Sequence, residues 1–128
     1  IDNIKLCIEI FYSMLNTVTV NKEKIFDSMK YGFLNATDVA DYLAKHGVPF
    51  RQAHKIVGEI VSYCENKKIA IEDMTLSEFQ NFSEIFREDI QNEITIENCV
   101  NKRNSFGGTS IQNVKMQIKN AKSFLETI

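Results

Sequence analysis

The sequence predicts an all-α protein, and three observations carry that expectation. Apolar residues recur at three- and four-residue spacing through most of the chain, as in helices that bury one stripe. Residues that favour helix starts, Asn21, Asn35, Thr75, Thr95 and Ser110, stand just before five of those runs. Only five glycines and one proline interrupt 128 residues. The nearest approach to a strand is Ile94 to Ile96, and it is short.

Ile1 to Val18 reads as a helix of unusual composition. Ile4, Leu6, Ile8, Ile10, Phe11, Met14 and Leu15 cover most of its circumference, while Asp2, Lys5, Glu9, Ser13 and Asn16 form a narrow polar strip. A helix apolar nearly all round is normally buried in a large core. A chain of this size offers too little material to enclose it, so its neighbours are expected elsewhere: in another part of a longer polypeptide, or in other subunits. Beginning at Ile1 without a methionine, the chain reads as starting inside a helix.

Asn21 is expected to cap a short helix through about Lys30. Gly32 and Asn35 mark a turn, with Asn35 as N-cap and Asp38 near the positive helix end. Ala36, Val39, Ala40 and Leu43 give that helix its apolar stripe. Gly47 suits a left-handed C-cap and Pro49 the first turn of the next helix. Phe50, Ala53, Val57, Ile60, Val61 and Cys64 form a seam in that helix.

Thr75-Leu76-Ser77-Glu78 has the pattern of a capping box. Leu76, Phe79 and Phe82 belong to the short helix it opens, and Ser83 to about Glu93 reads as another. Thr95 caps a turn through Val100. Gly107-Gly108 breaks the chain, and Ser110 caps a final helix with Ile111, Val114, Ile118, Ala121, Leu125 and Ile128 on one seam.

Fifteen basic against 17 acidic residues leave a net charge of −2, which argues against a dedicated nucleic-acid binder. No apolar run has the length of a membrane span, and the start lacks the features of a signal peptide. Cys7, Cys64 and Cys99 form no disulfide framework and read as reduced, mostly buried thiols of a cytoplasmic protein.

Few residues suggest chemistry. His46 and His54 flank the helix turn but lack a third partner at fixed spacing, so no metal site is expected. Gly107-Gly108-Thr109-Ser110 precedes a helix, yet has neither the lysine nor the preceding strand of a nucleotide-binding loop. Asp38, Asp41, Glu59, Glu65 and Glu72 are scattered as on solvated faces, and Cys64 lies on a core seam. Lys22, Lys24 and Lys30 read as a solvated basic group. The two helices from Ala36 to Lys67 invite a helix-turn-helix reading, with Arg51, Gln52, His54 and Lys55 opening the second. A free-standing interaction or nucleic-acid-binding module is therefore the alternative reading.

The stretch from Gly32 to Gly58, with A-T-D-x-A-D-Y-L followed by G-x-P-F-R-x-A-H and a helix bearing V-G, resembles the C-terminal segment of argininosuccinate lyases, in the fumarase/aspartase superfamily. The resemblance continues through Leu76-Ser77-Glu78-Phe79, Glu97-Asn98-Cys99-Val100 and Arg103-Asn104-Ser105-Phe106-Gly107-Gly108-Thr109, covering about Leu15 to Lys119. Other lyases of the superfamily fit these blocks less well. The resemblance implies a homotetrameric enzyme that cleaves argininosuccinate to arginine and fumarate by β-elimination, without metal or organic cofactor. It implies that residues 1–20 end a central-bundle helix and that residues 21–128 form a small C-terminal helical domain. The family's serine-bearing loop, G-S-S-x-M-P-x-K-x-N-P, and its histidine-bearing T-x-x-Q-x-A-Q-P-x-x-x-G region do not occur here. Its substrate-contacting Y-N-x-D-x-Q-x-x-K run would fall just before Ile1. No catalytic, substrate-binding or metal residue is therefore assigned to this sequence, and the chain alone is expected to be inactive and to self-associate through its first helix.

Overall fold

The computed structural model describes residues 1–127 and is all-α, with no strand among them. Eight α-helices follow in order: α1 Asp2–Asn16, α2 Lys22–Tyr31, α3 Ala36–Lys45, α4 Phe50–Lys67, α5 Leu76–Gln80, α6 Ile90–Glu93, α7 Ile96–Asn101 and α8 Ile111–Leu125. A single 3-10 turn, Ile71–Asp73, lies between α4 and α5.

The pair α3 and α4 is the most extensive packing unit. Between them the chain reverses in a Schellman turn. Val48 N–H donates to Leu43 O at 3.0 Å and Gly47 N–H to Ala44 O at 3.1 Å, capping two orphan carbonyls of α3. Gly47 adopts φ +93°, as its position predicts, and Val48 is buried with Leu43 in the core. Pro49 sits one residue earlier than expected, as N-cap of α4 rather than inside its first turn. The far end of α4 closes in the same way, with Ile69 N–H donating to Cys64 O, but there Lys68 takes the left-handed position at φ +57°.

The core gathers Val39 and Leu43 from α3 with Ala53, Val57, Ile60 and Cys64 from α4. Over them lie Ile71, Met74, Phe79, Phe86, Ile90 and Ile94, all fully buried. Phe79 and Phe86 meet at 5.1 Å between ring centroids, and Tyr42 stacks on Phe86 at 5.9 Å. Burying each such ring contributes roughly 1.5–3 kcal/mol. Phe50, expected on the α4 seam, is exposed and packs edge-on against His54 instead.

Four predicted caps form. Asn21, Thr75, Thr95 and Ser110 each accept a backbone N–H from three residues on. Thr75 and Glu78 complete the capping box, with Thr75 N–H donating to Glu78 Oε2 at 2.8 Å. That bond, followed by those from Tyr63 and Lys67, pulls the Glu78 carboxyl down to about 2. Asn35 departs from expectation. Its amide turns inward and donates to Ile94 O at 3.0 Å, tying the start of α3 to the end of α6. The helix expected over Ser83 to Glu93 shrinks to α6. Residues 83–89 run as turns, with Phe86 N–H donating to Ser83 O and Gln80 Nε2 to Phe86 O. These turns bring Phe86 onto Phe79.

An ion pair joins α3 to the segment after α7. Both terminal guanidinium nitrogens of Arg103, Nη1 and Nη2, donate to the Asp38 carboxylate at 2.9 Å, and Nη1 also donates to Cys99 O at 2.8 Å. The Asp38 side chain is only 2% exposed, against 41% for Arg103. Burial alone would raise the Asp38 carboxyl, but the bonds from Arg103 and the Cys99 thiol outweigh it and hold it below its ordinary value. Asp38 is thus a paired internal carboxylate, where the sequence suggested a solvated one.

After Arg103 the chain makes a compact loop. Gly108 N–H donates to Ser105 O at 2.8 Å, Ser110 N–H to Arg103 O at 3.0 Å, and Asn113 Nδ2 to Ser105 O at 2.6 Å. A Cβ on Gly108 would lie 2.3 Å from Arg103 O, so only glycine fits. The loop launches α8, which packs on α7 and has only Asn113 buried. Ile128, expected on the α8 seam, lies outside the described residues.

Two outcomes test these supports. Gly47→Val should cost on the order of 1–3 kcal/mol, through backbone strain alone, since no heavy atom lies within 4 Å of an added Cβ. An unchanged thermal midpoint would show that the left-handed turn is dispensable. Asp38→Asn should cost about 1–3 kcal/mol near neutral pH. Because the folded carboxyl titrates below the unfolded value of about 3.9, the contribution is present above that value and lost as pH falls through the folded one. The midpoints of wild type and variant should therefore converge in acid; a constant gap would refute the ion pair as its source.

Candidate functional site

The residues that suggested chemistry do not converge. His46 caps α3 and its Nδ1 lies 2.9 Å from Tyr42 O, with its ring against Tyr42. His54 stands on α4 against Phe50. Among the described residues no three of His, Cys, Asp or Glu are placed to hold a metal ion. Cys64 and Cys99 are buried, and burial pushes their thiols up to about 11 and about 12, which leaves them unreactive as thiolates. Cys7, by contrast, is exposed on α1. Asp41, Glu59 and Glu65 are exposed, as a solvated face requires, and Glu72 is half-buried. Arg51, Gln52, His54 and Lys55 do share an exposed opening turn of α4, but Lys55 faces Glu59 at 4.0 Å.

One polar cleft, of about 210 Å³, lies between α3 and the α6–α7 region, lined by Asp38, Asp41, Lys45, Glu93, Lys102 and Arg103. Its charges neutralise one another: Arg103 pairs with Asp38, and Lys102 with Glu93. These contacts lock the domain.

The surface of α1 is largely apolar and uncovered. Every residue of α1 is exposed, with Leu6 at 57% and Ile10 at 53%. Two apolar depressions run along this helix. Leu6, Ile10 and Met14 line one with Glu9, Ser13 and Thr17; Ile4, Cys7, Ile8 and Phe11 line the other. Leucine and isoleucine each yield roughly 1.5–3 kcal/mol on full burial. They lie in water over two sides of the helix, a larger apolar area than a surface facing only solvent usually carries. α1 can thus receive neighbours on more than one side, as its composition predicts.

A second uncovered stripe was not foreseen. Ile111, Val114, Ile118 and Leu125, expected to pack as a seam, are all at least two-fifths exposed, and Ala121 is exposed too. Phe106, at the tip of the compact loop, is 98% exposed. Periodicity showed that α8 has a face to bury; it carried no information on what covers that face.

Sequence comparison agrees with this division into a packed domain and open helices. The family described as Argininosuccinate lyase C-terminal matches residues 33–101, from just before α3 to the end of α7. An argininosuccinate lyase of Alkaliphilus metalliredigens is 52% identical over 128 residues, all of this chain and 28% of the relative. Those of Ruminiclostridium cellulolyticum and Caldicellulosiruptor bescii are 44% and 45% identical over the same span, again 28% of each relative. The chain therefore spans little more than a quarter of the length of the curated relatives it matches. With its family match centred on the packed α3–α7 unit, the chain belongs to the argininosuccinate lyase C-terminal family.

Proposed function

We propose that this chain is the C-terminal part of an argininosuccinate lyase, an enzyme cleaving argininosuccinate to arginine and fumarate by β-elimination in arginine biosynthesis. The observation that carries the reading is identity of 52% across the whole chain to an enzyme of that name. In this reading the chemistry belongs to upstream sequence, since neither the serine-bearing nor the histidine-bearing motif occurs here. No catalytic or substrate-binding residue of this chain is assigned. Residues 1–20 then end a helix of the central bundle, and residues 21–128 form the small domain beyond it. The complete enzyme is a cytoplasmic homotetramer working without metal or organic cofactor.

The structure supports a role in assembly. α1 is uncovered on more than one side, which suits a helix set among others in a bundle. No helix among the described residues is long and apolar enough to cross a membrane, so that apolar surface is read as protein-facing. In the chain by itself, Leu6, Ile10, Phe11 and Met14 drive self-association.

Replacing the corresponding C-terminal part of the Alkaliphilus metalliredigens enzyme with this chain tests the reading directly. Fumarate formation, followed by ultraviolet absorbance, should stay within about tenfold of the parent, or about 1.4 kcal/mol in barrier. A soluble, assembled but inactive chimera would overturn the proposal. The isolated chain should release no fumarate from argininosuccinate above a buffer control; turnover would show that chemistry has been assigned to the wrong part. Sedimentation should show the wild-type chain associated and a Leu6→Glu, Ile10→Glu variant dissociated but folded. Identical monomers with α1 ordered in both would end the association argument.

A further inference from the structure

We propose that Asn104 is a modification site, where a succinimide forms with the main-chain nitrogen of Ser105, and that opening of this ring loosens the loop's hold on α8. Neither step depends on the enzyme reading. Asparagine amides are thermolabile. Their cyclisation needs a side chain able to turn, a following N–H able to attack, and little bulk beside that nitrogen. Asn104 is exposed, and among the described residues neither its side chain nor the Ser105 N–H has a hydrogen-bond partner. It is also the only asparagine of the chain that precedes serine or glycine.

Other asparagines lack this combination. Asn21 gives its side chain to Lys24 N–H, and the Asn35 amide is buried on Ile94 O. After Asn81, Asn98 and Asn113 the next N–H is already donated, from Phe82 to Phe79 O, from Cys99 to Thr95 O and from Val114 to Ser110 O. Around Asn104 the chain bonds through different groups. Asn104 N–H donates to Lys102 O, and Ser105 accepts through its carbonyl from Gly108 N–H and Asn113 Nδ2. The peptide nitrogen of Ser105 stays open to solvent.

Solvent base removes the Ser105 amide proton, and the nitrogen attacks Asn104 Cγ. A C–N bond forms, the Cγ–Nδ2 bond breaks, and ammonia leaves with a proton from solvent. Water then opens the ring, with no oxidation or reduction. Cleavage of the new bond gives aspartate. Cleavage of the original peptide bond gives isoaspartate, whose main chain runs through Cβ and Cγ and is longer by one carbon. That extra length falls inside the loop closed by Ser110 N–H on Arg103 O and Gly108 N–H on Ser105 O, from which α8 starts. Both products also add a carboxylate next in sequence to Arg103, whose guanidinium is committed to Asp38.

Ageing the whole chain at mildly alkaline pH, below its thermal midpoint, tests both steps. Peptic digestion in acid and mass spectrometry should find Asn104 converted first, to a mixture of aspartate and isoaspartate. Ser105→Val keeps the carbonyl contacts but shields the nitrogen with a branched side chain, and conversion should slow at least about fivefold. Asn104→Gln would need a larger ring and should keep its amide over the same period, a comparison that stands even where the valine variant fails to fold. Another asparagine converting ahead of Asn104, aspartate without isoaspartate, a folded valine variant that is not slowed, or glutamine lost as fast as asparagine overturns the modification site. In the isoaspartyl form, hydrogen exchange over residues 111–117 should run at least about tenfold faster than in the unmodified chain. Equal exchange overturns the effect on α8.

Discussion

The small domain depends on one buried charge. Asp38 lies on the inward face of α3, where an unpaired carboxylate would cost several kilocalories per mole in desolvation. Arg103 removes that cost from 65 residues away, with two parallel bonds to the carboxylate. The same guanidinium holds the carbonyl of Cys99, and the Arg103 carbonyl receives the N–H of Ser110. One residue thus closes α3 onto α7 and positions the start of α8. The bidentate geometry matters here, because a lysine ammonium could not present two donors to the carboxylate at a fixed angle. Around this pair the remaining polar contacts are also satisfied, and no buried side-chain nitrogen or oxygen among the described residues lacks a partner.

Two regimes of packing coexist in the chain. From α3 to α7 most apolar residues are at least partly enclosed, exposed Phe50 apart, and Phe79 and Phe86 are fully buried. Before and after that region, α1 and α8 carry similar residues in water. The boundary between regimes coincides closely with residues 33–101, the part matched by the family. A domain that completes its own core and leaves its flanking helices open is built to be joined to something else. That is consistent with a segment that spans little more than a quarter of the length of the curated relatives it matches.

Local features of this fold were legible in the sequence and distant ones were not. The caps at Asn21, Thr75, Thr95 and Ser110, and the left-handed Gly47, depend on neighbours within a few residues, and those neighbours are visible in one line of text. Asn35 has the same capping chemistry, yet its amide finds Ile94 O across 59 residues and the local bond is forgone. Asp38 was read as solvated for the same reason: nothing within its helix reveals Arg103. Residues 83–89 kept helix-like apolar spacing but took turns that place Phe86 on Phe79, a tertiary demand overriding local pattern. As for function, the apolar circumference of α1 was readable at once, whereas the uncovered state of α8 was not, because amphipathic spacing specifies a face without specifying its cover.

The tight loop at Gly108 has a mechanical consequence. α8 is held over its first two turns, by Asn113 on Ser105 O and Gln117 on Gly108 O, and has no buried residue beyond them, so it behaves as an arm clamped at one end. Fifteen residues make that arm about 22 Å long. A tilt of about 5° at the clamp then displaces the tip by about 2 Å, more than the rise of about 1.5 Å that separates successive residues along a neighbouring helix. The glycine at which a Cβ cannot be accommodated is therefore an aiming device, and small errors there are magnified where the far end of α8 must find its mark.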